Sequence, residues 1–470
     1  MVRTRTAWRL HPELRGRRIA VVLSGGGAMG AYQVGVLRSL ERLGVEATIV
    51  AGISVGALNG VSWVALGGRT KPLMRLWRGL NASGIGLRWS TLALRMVGAF
   101  LVVMALAELV VTLAAQQNLS SWIRGRLTPP SSVLPGVLDA WFWVALALLG
   151  VLLAKSSRWA ESLLARWPLV RQRGTLGATL GWTSLGLAVL WVVAAVFDWP
   201  WPFRAHALLA ILVAAFWLGV AFQGRLGSLF NEVLRRISPE SRGAGLWSGA
   251  ARRRIVERMV GEGDRERLCD SWQRIIVSAL SLDTGQLTYF VNWRCDPDDF
   301  TQQLGEPQDR VAMLDNPDEV IEAAVASSAL PLVFEPVEFR GERYVDGALF
   351  TNHALRAAIA AGAEAAVVVM LSTPDQAPRD DLSNLFSVGQ RLLEVGDLRD
   401  SLRELAHLPP NWRSQEAPRR LCVVRPVRPL EAGVLGFDPQ RHRRLIERGR
   451  SEAWRALEHA GWIQAVPHES

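Results

Sequence analysis

Cysteine and lysine are nearly missing from these 470 residues. Cys269, Cys295 and Cys422 stand far apart, without the paired spacing of a metal centre or a disulfide framework. They read as small buried residues in a reducing compartment, and neither a metal nor a cofactor is expected. Lysine occurs only at Lys71 and Lys155, so arginine carries almost all of the net charge of +10. A basic surface can meet nucleic acid or anionic lipid; no aromatic-basic recognition module is present, so lipid is the expected partner and nucleic acid is not. The basic N-terminal stretch "MVRTRTAWRLHPELRGRR" has no apolar run of a secretory signal behind it. The segment from Arg17 is therefore expected to begin in the cytoplasm.

What the chain does have is apolar surface. Half of its residues are hydrophobic, and 12 of its 20 tryptophans lie between Trp89 and Trp247. Indole rings concentrate at membrane interfaces. Four apolar runs, about Leu92–Ala115, Leu138–Ala154, Leu176–Phe197 and Ala205–Phe222, fall in or close to the ~17–25 residues needed to cross a bilayer as a helix. Loop charge alternates around them. Arg69, Lys71, Arg75, Arg78 and Arg88 precede the first run, and only Arg124 and Arg126 follow it. Lys155, Arg158, Arg166, Arg171 and Arg173 separate the second run from the third, one arginine separates the third from the fourth, and Arg225, Arg235, Arg236 and Arg242 come after. This is the positive-inside pattern of four spans with both flanks cytoplasmic. Glu108, midway through the first run, is expected to be protonated or paired inside the bundle.

An even number of crossings returns both flanks to one side, where they can complete a single domain. The flanks read as α/β. Strand Ile19–Leu23, a helix from Gly30 to Leu43, strand Ala47–Ala51 and a helix from Val55 to Leu66 form the first half. Strands Arg274–Leu280 and Leu287–Trp293, helix Pro317–Ser328, strands Ala365–Leu371 and Leu421–Val424, and a helix near Gln440–Ala460 form the second. A mostly parallel sheet covered on both faces is expected. The domains are 17–90 for the first half, 91–224 for the four-helix insertion and 250–462 for the second half. The stretch Thr373–Pro418 looks irregular.

Two motifs carry chemistry. "SGGGAMG" places Gly25, Gly27 and Gly30 in a G-x-G-x-x-G pattern directly after a strand. A dinucleotide site would want a carboxylate at the end of the next strand. That strand instead ends "TIVAG" and runs into Gly52-Ile53-Ser54-Val55-Gly56, a G-x-S-x-G between strand and helix, as a nucleophile elbow requires. The glycines are then free to line an oxyanion pocket, or to form a plain tight turn. None of the seven histidines stands in a context that marks a base; a Ser–Asp–His order using His407 or His442 is one alternative, and His353 reads as a neighbour of the cleft. In "RYVDGALFTNHAL", Asp346 closes a short strand and Gly347-Ala348 turn the chain away, which suits either a base or an ordinary turn aspartate.

Together "SGGGAMGAYQVGVL", "GISVGALNG", "ASSALPLVFEPV", "YVDGALFTNHAL" and the tail "FDPQRHRRLIERGRSEAW" resemble the patatin-like phospholipase family. The resemblance covers about 17–80 and 254–459 and implies a three-layer α/β/α domain, here interrupted by four transmembrane helices. It implies a Ser–Asp dyad without histidine: Ser54 as nucleophile, Asp346 as general base, and Gly25, Gly26 and Gly27 as the oxyanion hole. Gly30, Gly52, Gly56, Gly347 and Ala348 shape the motifs. Where the family commonly places a basic residue after the glycines, this chain has Met29. The expected protein is a membrane-anchored lipid acyl hydrolase of a bacterial inner membrane, its catalytic domain cytoplasmic and its substrate a membrane lipid. The alternatives are a lipid acyltransferase or a non-catalytic lipid-binding protein on the same fold.

Overall fold

The computed structural model describes residues 7–85 and 245–466, apart from short internal stretches of which 374–398 is the longest. The chain divides into two compact units, Met1–Gly86 with Trp247–Ser470, and Leu87–Leu246. Nearly all described residues belong to the first. The four apolar runs, Glu108 and most of 373–418 lie outside the described residues, as do His353 and His407. No helix among the described residues is long and apolar enough to cross a membrane.

The strands, in chain order, are β1 (Ala7–Leu10), β2 (Ile19–Leu23), β3 (Ala47–Ile53), β4 (Gly245–Trp247), β5 (Arg274–Ser281), β6 (Leu287–Val291), β7 (Arg310–Met313), β8 (Leu332–Phe334), β9 (Val337–Phe339), β10 (Glu342–Asp346), β11 (Ala365–Val369), β12 (Leu421–Val424) and β13 (Ile463–Val466). The helices are α1 (Gly30–Arg42), α2 (Val55–Ala65), α3 (Lys71–Gly79), α4 (Ala250–Gly261), α5 (Pro297–Leu304), α6 (Pro317–Ser327), α7 (Leu355–Ala360), α8 (Pro410–Arg413) and α9 (Pro439–His459). The elements expected from periodicity are present with ends shifted by two residues at most.

Among the described residues, nine strands form the main sheet, in the order β12-β11-β2-β3-β5-β10-β9, with β6 beside β5 and β7 beside β6. From β12 to β5 the pairing is parallel. The apolar composition of β2, β3 and β11, buried along their length, is that of strands covered on both faces. Alternation divides them: Ala20, Val22, Ile49, Ala51 and Ile53 pack with Phe300 and Leu304 of α5 and with Leu355, Ala357 and Ala358 of α7. On the other face Val50 lies under Gly60 of α2.

The sheet is thus mostly parallel, as expected, and its antiparallel pairs lie in the second half: β5 runs antiparallel to β6 and to β10, and β10 antiparallel to β9, while β7 runs parallel to β6. The "SLDTGQ" turn joins β5 to β6 as a hairpin, with Ser281 N–H donating to the Gln286 carbonyl at 3.0 Å. Unanticipated from sequence, the basic N-terminal stretch supplies β1, paired antiparallel with β13 through the register Ala7↔Val466 to Leu10↔Ile463.

This mixed topology positions two residues. β3 ends with Ile53 opposite Ser278, and β10 ends with Asp346 opposite Ala279, the next residue of β5. β6 occupies the other edge of β5 over the same residues. The parallel and antiparallel strands therefore meet tip to tip along one edge of β5, bringing Ser54 and Asp346 together.

Candidate active site

Ser54 is the single residue between β3 and α2, with φ 56° and ψ −124°. A serine held in that region is strained, and a surrounding structure must impose it. The imposed feature is the close crossing behind it: a Cβ on Gly56 would stand 2.2 Å from the Leu23 carbonyl oxygen of β2. Only glycine lets helix and strand approach so closely. Gly52, in register with Leu23, faces the first turn of α2 equally tightly. The turn aims the N-terminus of α2, with its unpaired N–H groups, at the cavity in front of Ser54.

Ser54 Oγ donates a 2.6 Å hydrogen bond to Asp346 Oδ2. Asp346 Oδ1 accepts from Ala348 N–H at 2.9 Å, an arrangement made by the turn at Gly347. Asp346 is 2 % exposed. Burial pushes its carboxyl up to about 6, while the Ser54 hydroxyl, the Ala348 N–H and the Arg252 charge pull the other way.

One segment ties both residues in place. Ser54 N–H donates to Ser327 Oγ at 2.9 Å, Ser327 Oγ donates to the Ser278 carbonyl at 2.7 Å, and Asp346 N–H donates to the Ala329 carbonyl at 3.0 Å. Ser327 lies in the "ASSALP" stretch, yet nothing in its spacing announced this role.

Gly25, Gly26 and Gly27 line the same cavity as Ser54 and Asp346. Gly27 has φ +56°, and a Cβ there would meet the Val434 carbonyl oxygen at 2.1 Å. That carbonyl accepts from Ala28 N–H at 2.8 Å, and no acceptor takes the N–H of Gly26 or Gly27 among the described residues. A buried polar relay fixes the loop from below. Gln33 Nε2 donates to the Ser24 carbonyl, Asn59 Nδ2 donates to Gln33 Oε1 and to the Gly30 carbonyl, and Trp77 Nε1 donates to Asn59 Oδ1. Asn59 belongs to the quoted "GALNG" and went unassigned there, because a buried amide reads from sequence like any polar helix residue.

The rest of the cavity is mostly apolar, with Met29, Leu58, Leu73, Leu330, Phe334 and Phe437 among its walls. Arg252 also lines it, hidden in sequence within the run Arg252-Arg253-Arg254. His442 does not serve the pair. Its Nδ1 lies 2.9 Å from the Trp77 carbonyl oxygen, and its ring packs edge-on to Trp77 and Phe437. Among the described residues, no cluster of His, Cys, Asp or Glu is arranged to hold a metal ion.

A hydroxyl bonded to a buried carboxylate at a strained strand–helix turn, beside a glycine wall, defines an α/β protein of the serine–aspartate class. The chain belongs to the patatin-like phospholipase family, whose profile matches residues 21–179 and 198–359. A lysophospholipase, nte1, of Aspergillus terreus is 50% identical over 52 residues, 11% of this chain and 3% of that protein. The neuropathy target esterase sws of Drosophila melanogaster is 44% identical over 55 residues, 12% of this chain and 4% of that protein. The chain thus matches only a small fraction of the length of these relatives. Among solved structures, VipD from Legionella pneumophila aligns over 98% of this chain and 69% of its own, at 13% identity and a TM-score of 0.33.

Proposed function

We propose that this protein is a serine acyl hydrolase that cleaves acyl esters of glycerophospholipids or lysophospholipids. The observation that carries the reading is the Ser54–Asp346 hydrogen bond at the floor of an apolar cavity. Asp346 takes the proton as Ser54 Oγ attacks the ester carbonyl carbon. The carbonyl oxygen becomes an oxyanion within reach of the N–H groups of the glycine loop and of Val55, each such donor contributing ~10²–10³ in rate. The C–O bond to the lipid alcohol breaks, Asp346 returns the proton to that oxygen, and the acyl group stays on Ser54. Water, deprotonated by Asp346, then attacks the acyl carbonyl carbon, the bond to Ser54 Oγ breaks, and Asp346 returns the proton to Ser54 as the fatty acid leaves. Burial matters here because it raises Asp346 toward the pH at which a base works best.

The test is covalent. A fluorophosphonate probe should add one adduct per chain, mapped by peptide mass spectrometry to Ser54. An adduct elsewhere, or none on an enzyme that still hydrolyses ester, sinks the reading.

The four apolar runs complete the proposal as a four-span anchor in a bacterial inner membrane, with the catalytic domain on the cytoplasmic side. Supporting it are run length and the alternation of arginine between their connections. Reporter fusions within 116–137 and 198–204 should be active only outside the cytoplasm, and those within 155–175 only inside. The opposite pattern overturns the topology.

A further inference from the structure

Arg252 is 3 % exposed and sits in the first turn of α4, a turn that has no acidic residue. A cation at a helix N-terminus works against the helix dipole, so this position is not explained by helix stability. Nη1 donates to the Ser328 carbonyl at 2.8 Å, and the guanidinium lies over the Phe334 ring, 3.7 Å from its centroid. Stacking covers one face of the guanidinium and leaves its in-plane donors. Nε and Nη2 are buried and have no hydrogen-bond partner among the described residues. Asp346 and Glu335 act on the guanidinium electrostatically, yet neither receives a hydrogen bond from these two nitrogens.

Buried guanidinium donors are costly to leave unpaired. Burial lowers the Arg252 pKa to about 9, an effect that the charges of Asp346 and Glu335 only partly offset. Of the described residues lining the cavity, Arg252 and Asp346 are the charged ones. Asp346 already accepts two hydrogen bonds. Met29, beside the glycines, supplies no charge to the same cavity.

Resting on the hydrolase reading, we propose that Arg252 binds the anionic phosphate of a phospholipid substrate, so that this site selects charged glycerolipids over neutral acylglycerols. The free Nε and Nη2 lie in one plane, the fork geometry that receives two oxygens of a phosphate. The neighbouring apolar walls exclude water and strengthen the pairing. The same fork could receive the carboxylate of the released fatty acid, and the two sources have separate signatures.

The experiment compares Arg252→Gln and Arg252→Lys with the unaltered full-length protein on two substrates of one acyl chain, a lysophosphatidylcholine and a monoacylglycerol. Melting midpoints are measured alongside, and oleate is added as product inhibitor. The unaltered protein should favour the lysophospholipid in kcat/KM. Arg252→Gln should lower that preference at least tenfold, and Arg252→Lys, which keeps charge but not the fork, should restore part of it. Equal loss on both substrates, with the acid limb of the pH profile displaced upward, overturns the proposal in favour of a neighbour that tunes Asp346. Weaker oleate inhibition with an unchanged preference also overturns it, assigning the fork to the product carboxylate. Loss of folding in both variants overturns it in favour of a structural cation. A protein that hydrolyses neither ester removes the hydrolase reading as well, whereas equal loss in the variants leaves that reading standing.

Discussion

Ser54 Oγ and Asp346 Oδ2 lie 2.6 Å apart although the two residues are 292 positions apart in sequence. The sheet makes the contact: β3 and β10 end against adjacent residues of β5, Ser278 and Ala279. Because one strand runs parallel to β5 and the other antiparallel, their tips converge instead of passing.

The pH profile follows from this burial. Asp346 must be ionised to accept the serine proton, and its carboxyl is held up to about 6. On a neutral ester, kcat/KM should be flat above about pH 7 and fall about tenfold per unit below pH 6. Rates for a water-soluble ester between pH 4.5 and 8 check this. An acid limb near pH 4 would mean that Asp346 is not the base.

Asp346→Asn should lose activity and gain stability. The folded-state pKa is raised from 3.8, so the folded protein binds this proton more tightly than the unfolded chain. The associated stability is fully present below about pH 4, falls as pH rises to about 6, and is absent above it. At pH 8 the ionised carboxylate therefore destabilises the fold by up to about 3 kcal/mol, which asparagine removes. Thermal unfolding should show a higher Tm for the variant at pH 8, with the difference shrinking toward pH 5.

How much of this could be read from the residues depends on how local each signal is. Ser54 and the glycines were legible because an elbow must place small residues at fixed offsets from a serine. Asp346 was legible only through resemblance, since an aspartate before glycine at a strand end is also an ordinary turn. Ser327, Asn59 and Arg252 were not legible: their partners Ser54, Gln33 and Ser328 are reached through the fold. The strand β9 escaped because three residues show too short an alternation to register, whereas the end of β10 was marked by the Asp346-Gly347 turn.

Ser327→Ala removes the acceptor of Ser54 N–H and the donor to the Ser278 carbonyl together. Leaving these buried groups unpaired should cost about 1–3 kcal/mol. Because the lost bond fixes the elbow, kcat should fall about tenfold, equivalent to about 1.4 kcal/mol of barrier. Chemical denaturation and steady-state kinetics give both numbers.

Gly27→Ala should affect catalysis more than its size suggests. The new Cβ would press on the Val434 carbonyl at a positive φ and displace the loop. Losing one aligned donor to the oxyanion lowers kcat by ~10²–10³, with smaller change in KM. An unchanged kcat would take the glycine loop out of the reaction.

His442→Gln separates the dyad from a triad. This ring is bonded to the Trp77 carbonyl and packed against Trp77 and Phe437, away from Asp346. The Tm should fall, while kcat/KM on a short-chain ester should stay within about threefold, less than 1 kcal/mol.

Release of free fatty acid from lysophospholipid micelles by the purified full-length protein tests the central claim most directly. The unaltered chain should release fatty acid, and Ser54→Ala and Asp346→Asn should each reduce the release to background while remaining folded. Release that persists at the original rate in either variant would contradict the assignment of the Ser54–Asp346 pair.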